Sequence, residues 1–245
     1  MTKPMIILVG PSAVGKTTVA NLLVERYPDR FAFVRSVTTR PSRFEGDTEY
    51  IYITQEEYDA LVENDGLLEY ATYAAFSYGT PRSEIERIEK EGKTPLLVLN
   101  IEGVKSLRKK DDLKVYAIYF YEDLNLLETR LYERGLATNP SVENLTAFVK
   151  RKNQNIEDYL HIDEVAPLFD LFYENHSLDA SVEMVLSLID GECQPMSEEK
   201  KSELITILQG RARDKLAVGR GEVSDGPAPS FGAAFGSPFM PPIIR

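Results

Sequence analysis

The stretch Met5-Ile6-Ile7-Leu8-Val9-Gly10-Pro11-Ser12-Ala13-Val14-Gly15-Lys16-Thr17 joins an unbroken apolar run to a turn framed by glycines. Pro4–Gly10 reads as a short buried strand, because no polar residue alternates with its Ile, Leu and Val. Thr17–Tyr27 follows with Val19, Leu22 and Leu23 at helical spacing. Between them Gly10–Thr17 fits G-x-x-x-x-G-K-S/T, and a strand before it with a helix after it is the context that motif requires. Glycines let the backbone curl until its N–H groups converge on phosphate oxygens, and the following helix aims its positive end at the anion. The motif assigns Gly10, Ser12, Ala13, Val14, Gly15, Lys16, Thr17 and Thr18 to an ATP-type triphosphate. Lys16 would reach the β and γ phosphates, and the Thr17 hydroxyl would be a ligand of the accompanying Mg²⁺.

Working outward, strands and helices alternate. Phe33–Val37 and Tyr50–Thr54 read as strands, and Gln55–Glu63 as a helix capped by Thr54. Pro81–Glu91 reads as a charged helix with Pro81 in its first turn. Pro95–Ile101, Val115–Tyr121 and Leu168–Tyr173 are further buried strands. Leu124–Glu133 and Val142–Asp158 are helices joined by the polar loop Gly135–Ser141, and Ser181–Ile189 is a last core helix. This alternation predicts an α/β fold on a parallel sheet, which binds ligands at the carboxyl ends of its strands. Glu198–Leu216 carries Leu204, Ile205 and Leu208 on one side of a further helix. Residues 219–245, dominated by Gly, Pro, Ser and Ala, read as a disordered tail.

Composition narrows the function. The chain has 245 residues, 43% hydrophobic, enough for a substantial core. Its net charge of −11 disfavours nucleic acid or an anionic membrane surface as partner. A small anionic substrate stays compatible where cations gather locally, and arginines do gather: Arg35, Arg40 and Arg43, then Arg130 and Arg134, then Arg151. The one cysteine, Cys193, has no internal partner, which fits a reducing, cytoplasmic setting. No apolar stretch approaches the ~20 residues of a membrane span, and the apolar run near the start is too short for a signal peptide.

A second group of residues lies after the first helix. Ser36-Val37-Thr38-Thr39-Arg40-Pro41-Ser42-Arg43 sets two arginines three apart among hydroxyls, and Glu49-Tyr50, Glu69 and Tyr78-Gly79-Thr80-Pro81 follow. With the phosphate loop, this series resembles the guanylate kinases over residues 4–190. The resemblance implies a P-loop kinase core with a parallel five-stranded sheet (1–35, 92–125 and 159–190), an inserted acceptor-binding subdomain (36–91) and a helical lid (126–158). It implies transfer of the ATP γ-phosphoryl group to GMP or dGMP, with Mg²⁺. Arg40, Arg43, Tyr50 and Tyr78 would hold the acceptor phosphate, as bidentate guanidinium groups and phenol hydroxyls suit a dianion. Glu69 would read the guanine N1–H and amino group, while Ser36 and Thr80 would donate to its O6. Arg130, Arg134 and Arg151 would neutralise charge on the moving phosphoryl together with Lys16 and Arg40, and Asn175 would lie near the ATP adenine.

The chain departs from the family at several places. Val98 and Asn100 stand where carboxylates are usual, one of which would assist Mg²⁺ and the other read guanine. Asn100 can still accept from the guanine amino group, and Glu102 falls on the same strand face by period-two alternation. Ala13 replaces a glycine, which an ordinary backbone angle there would tolerate. Ala74-Ala75-Phe76-Ser77 replaces a more polar turn. Two other readings stay open at this point: a P-loop kinase for another purine monophosphate or small phosphate acceptor, and a catalytically weak binding module of guanylate-kinase-like form.

Overall fold

The computed structural model describes residues 4–42, 50–73, 76–110 and 113–219. In chain order the strands are β1 (Met5–Val9), β2 (Phe31–Phe33), β3 (Val37–Thr38), β4 (Ile51–Tyr52), β5 (Leu67–Tyr73), β6 (Phe76–Pro81), β7 (Thr94–Val98), β8 (Val115–Tyr121) and β9 (Leu171–Glu174). The α-helices are α1 (Lys16–Arg26), α2 (Gln55–Glu63), α3 (Arg82–Lys90), α4 (Ile101–Arg108), α5 (Leu124–Leu131), α6 (Val142–Leu160), α7 (Ile162–Val165), α8 (Leu178–Ile189) and α9 (Glu198–Gly219).

Strand β1 sits at the centre of a five-stranded sheet of order β2-β7-β1-β8-β9, and every pairing in it is parallel. A central parallel strand is covered on both faces, which is why Met5–Val9 contains no polar residue and is buried throughout. Ile6, Ile7 and Leu8 have no exposed surface, and each such side chain contributes about 1.5–3 kcal/mol by leaving water. The glycine loop begins at the carboxyl end of this strand, where a parallel sheet leaves room for a ligand.

A four-stranded sheet of order β4-β3-β6-β5 is inserted between β2 and β7. The single strand expected over Phe33–Val37 is two strands in two sheets. Phe31–Phe33 pairs with β7, Val34 N–H still reaches Leu96 O at 2.9 Å, and Val37–Thr38 then pairs with β4 and β6. The β5–β6 hairpin was not expected, and its register shifts between Leu67 and Glu69. Helix α2 has the expected ends and a full capping box between Thr54 and Glu57. Helix α3, adjoining the inserted sheet in sequence, puts Ile85 and Ile88 into the main core.

Helices α5 and α6 make an antiparallel arm, joined by a π-helical turn over Tyr132–Leu136 where a loop was expected to begin. Tyr132 packs edge-on to Phe148 there, ring centroids 6.3 Å apart. The last turns of α6 are core rather than arm: Asn155, Ile156 and Tyr159 are buried. Helix α9 lies against α6 with Leu208 and Ala212 fully buried. Of residues 219–245, expected to be a disordered tail, Gly219 is the last residue of α9, and 220–245 lie outside the described residues, as do Arg43, Ala74 and Ala75. No helix among the described residues is long and apolar enough to cross a membrane.

Candidate active site

The glycine loop is held by backbone geometry that its sequence permits only in part. Gly10 has φ +137°, and a Cβ there would meet Phe120 O at 2.2 Å, so only glycine fits. Gly15 has φ +101°, and its Cβ would lie 2.5 Å from Asn175 Nδ2. Ala13 has φ +67°, the left-handed region. The expectation of an ordinary angle at Ala13 is therefore corrected: its methyl group costs about 1–2 kcal/mol in this conformation. Gly15 caps α1 without a side-chain bond, and the helix's first turn contains no acid. Its unpaired N–H groups and positive dipole end are thus open to an anion.

Lys16 is half-buried and donates to the carbonyls of Gly10 and Pro11, both at 2.8 Å. Loss of water around the ammonium lowers its pKa to about 8, an effect Asp158 opposes and Arg134 reinforces. A cavity of about 540 Å³ is lined by Ser12, Ala13, Gly15, Lys16, Thr17, Thr18, Arg130, Arg134, Arg151, Asn175, His176 and Leu178. The three arginines of the arm therefore converge on the loop, although they come from α5, the π turn and α6. Arg130 also approaches Ala13 O at 3.5 Å and the buried Glu122 at 3.7 Å.

Two further cavities share walls with the first. One of about 880 Å³ includes Thr17, Ser36, Tyr50 and Val98. The other, about 840 Å³, includes Gly10, Lys16, Asn100, Arg151 and Asp158. The side chain of Thr17 thus stands between the loop cavity and the cleft toward the inserted sheet. In that sheet Arg40 lies over the rings of Tyr50 and Tyr52, at 5.6 and 5.5 Å, and donates to Tyr52 Oη at 3.2 Å. Tyr50 and Tyr78 meet edge to face at 5.7 Å. Arg40, Tyr50 and Tyr78 are therefore together, with Tyr52 as a fourth member that sequence reasoning did not select. The two-residue spacing of Tyr50 and Tyr52 was the available signal.

Glu69 and Thr80 face one another across the β5–β6 register, and Thr80 Oγ1 donates to Glu69 Oε1 at 2.6 Å. Burial raises the Glu69 pKa and the Thr80 bond pulls it back. The Thr80 hydroxyl, expected to serve a base oxygen, gives its proton to this carboxylate, the stronger acceptor. Asn100 is not a strand residue. β7 ends at Val98, and Asn100 caps α4, its Oδ1 accepting from Gly103 N–H at 2.8 Å. Glu102 accordingly lies in the first turn of α4 and not on a strand face.

Val14 is fully buried and does not line the loop cavity. Its carbonyl accepts from Asn175 Nδ2 at 2.5 Å, and Asn175 Oδ1 accepts from Ser181 Oγ at 2.6 Å. Asn175 borders the loop cavity, and both ends of its amide are spent on the protein. Two groups were missed entirely. Asn155 accepts from Ser12 N–H at 2.7 Å and donates to Ser12 O at 3.1 Å. Asp158, one turn of α6 further on, has its pKa raised by burial against the pull of Gln154 and Lys16. Asn155 is polar on the helix face that buries Ile156 and Tyr159, a mismatch that could have marked it.

A glycine loop leaving the central strand of a wholly parallel sheet, with a basic arm folded over it, defines a P-loop kinase core. The guanylate kinase family model matches residues 1–192. Guanylate kinase from Synechocystis sp. is 32% identical over 189 residues, spanning 77% of this chain and 94% of the relative. Guanylate kinase from Bradyrhizobium diazoefficiens is 30% identical over 210 residues, spanning 84% and 90%. The chain belongs to the guanylate kinase family. The crystal structure of guanylate kinase from Anaplasma phagocytophilum has the same fold, with TM-score 0.54 and 21% identity over 82% of this chain and 94% of that one.

Proposed function

We propose that the protein transfers the γ-phosphoryl group of ATP to GMP or dGMP, giving ADP and the nucleoside diphosphate. The observation that carries this is the shared walls of the loop cavity, with its three arginines: Thr17 also lines the cleft holding Ser36 and Tyr50, and Lys16 also lines the cavity holding Asn100 and Asp158. The uncapped start of α1 would take the donor's β phosphate, with Lys16 leaving the Gly10 and Pro11 carbonyls to reach toward the γ. Arg130, Arg134 and Arg151 would meet the charge spread over the transferring group, a contribution of ~10³–10⁵ for one well-placed arginine. Arg40, Tyr50, Tyr52 and Tyr78 would hold the acceptor phosphate, and Glu69 would accept from the guanine ring donors. On this chain Thr17 offers the hydroxyl ligand for Mg²⁺, and Val98 offers none, so the ion would keep most of its waters, as Mg²⁺ readily does. When bound with ATP, Mg²⁺ neutralises part of the phosphate charge.

The inserted sheet is read as the acceptor subdomain and the α5–α6 arm as the lid. Asn100 argues for a broader acceptor range, because the amide oxygen that could read a guanine amino group is already capping α4. The test is ADP release with ATP, Mg²⁺ and each of GMP, dGMP, IMP and AMP, on the wild type and Glu69→Gln. GMP should be the best acceptor. Glu69→Gln should raise the KM for GMP by about 10-fold or more, as a hydrogen bond to a charged group is lost, with little change in the KM for ATP. Turnover of another monophosphate but not of GMP would overturn the assignment.

A further inference from the structure

Ala13 occupies a left-handed position, φ +67°, at the centre of the glycine loop, and the residues on either side of it are gripped by two buried asparagines from different elements. Val14 O is held by Asn175, which follows β9. Ser12 is held at both its N–H and its carbonyl by Asn155 of α6, so this amide makes a two-bond pair with one backbone residue. Asn155 and Asn175 are only 2% and 3% exposed. Arg151 stands four residues before Asn155, one helical turn away on the same side of α6, and lines the loop cavity. Helix α6 therefore touches the loop at two levels, through the Arg151 guanidinium lining the cavity and through the Asn155 amide bonded to the loop's own backbone.

We infer that Asn155 is a positioning residue: it locks the left-handed turn at Ala13 to helix α6, fixing the loop's donor-binding shape and the placement of Arg151 together. The reasoning follows from what each group can do. A left-handed alanine relaxes readily unless its neighbours are pinned, because the methyl group opposes that conformation. The Ser12 N–H is spent on Asn155 Oδ1, a side chain that does not line the loop cavity, so the backbone entering the turn at Ala13 is fixed by the protein itself. A binding loop held in its productive shape beforehand does not lose affinity to ordering when its ligand arrives. Asn155 would touch neither nucleotide. Its effect would be felt as donor affinity, a role that rests on the reading of this loop as the ATP site.

Calorimetric titration of ATP and, separately, of GMP, both with Mg²⁺, into the full chain tests this. Asn155→Ala leaves both Ser12 groups without their partner and should weaken ATP binding by about 10- to 100-fold. GMP binding should stay within about twofold, a split that general loss of structure would not produce. Asn155→Asp has the same shape, keeps an acceptor for Ser12 N–H and sets an oxygen against Ser12 O; should Asn155→Ala fail to fold, it carries the test with a several-fold loss for ATP alone. Ala13→Gly relieves the conformation that the brace holds. It should recover part of the affinity lost in Asn155→Ala while changing the wild type little. ATP binding within twofold of wild type in Asn155→Ala, or equal losses for ATP and GMP, would overturn the inference. A wild type that binds ATP yet releases no ADP with GMP would refute the assigned reaction and leave the binding result standing.

Discussion

Lys16 ties the loop's chemistry to pH. Its ammonium is surrounded by protein and bonded to two loop carbonyls, and burial brings its pKa from 10.5 down to about 8. In the unfolded chain it would hold its proton to the higher pH. Between about 8 and 10.5 the folded state therefore binds fewer protons, and stability gains from this residue as pH rises through that window. Binding runs the other way, since a neutral amine no longer attracts phosphate. We expect kcat/KM for ATP to fall above about pH 8, because that ratio reports the free enzyme. The value of kcat should hold to higher pH, as bound triphosphate restores the charge. Parallel pH profiles of the two parameters check this, and a kcat/KM flat to pH 10 would exclude it. Of the residues around Lys16, the loop itself was legible because its spacing is dictated by phosphate. Asn155 and Asp158 were not, since each is an ordinary polar residue of a long helix until the fold turns it inward.

At the scale of elements, the junction after β7 shows how one cap redirects a reading. Leu96, Leu97 and Val98 run apolar into Leu99, and Ile101 is apolar again, so the sequence reads as strand through Ile101. Yet Ile101, Val104 and Leu107 also fall at helical spacing, and Asn100 has the side chain to start that helix. The structure takes the helical option, burying Val104 and Leu107 completely. Asn100→Ala should cost about 1 kcal/mol through loss of the cap. Asn100→Asp should be at least as stable as wild type, because a carboxylate caps equally well and complements the helix dipole. Thermal melts of the two variants decide the matter; equal destabilisation would mean that the Asn100 side chain does not cap α4. The β5–β6 hairpin was hidden for a different reason. Its shift between Leu67 and Glu69 puts two buried leucines side by side, so the period of two that marks a half-buried strand is broken where reading would begin.

The whole molecule is tied together by a helix that lies beyond the 192 residues matched by the family model. Helix α9 packs along α6 and also meets α5 and α7. Gln209 Nε2 donates to Leu160 O at 3.0 Å and to Asp163 at 2.7 Å, while Arg211 reaches Glu174 of β9 at 3.3 Å. Glu128 of α5 receives Lys152 of α6 at 2.6 Å and Lys215 of α9 at 2.7 Å. Although burial would raise the Glu128 pKa, the two lysines keep it below the usual carboxylate range. The apolar side of α9 was legible as Leu204, Ile205 and Leu208; the surface it covers was not, because long-range docking leaves no mark in local spacing. Two kinds of contact could hold this helix, and they differ in size. The ion pairs are partly exposed, and such pairs contribute about 0–1 kcal/mol each. Leu208 and Ala212 have no exposed surface, and truncating a buried leucine costs about 2–5 kcal/mol. Leu208→Ala should therefore lower the melting temperature by roughly 5–15 °C, at about 2–4 °C per kcal/mol for a chain of this size. Lys215→Ala should shift it by no more than about 4 °C. Because α9 backs the stretch of α6 that carries Asn155, Leu208→Ala should also weaken ATP binding at temperatures where the protein is still folded, and Lys215→Ala should not. Melting curves and ATP titrations on both variants separate the two contributions: a larger loss from Lys215→Ala would place the helix's hold in its charges, and an unchanged ATP affinity in a destabilised Leu208→Ala would confine α9 to a role in stability alone.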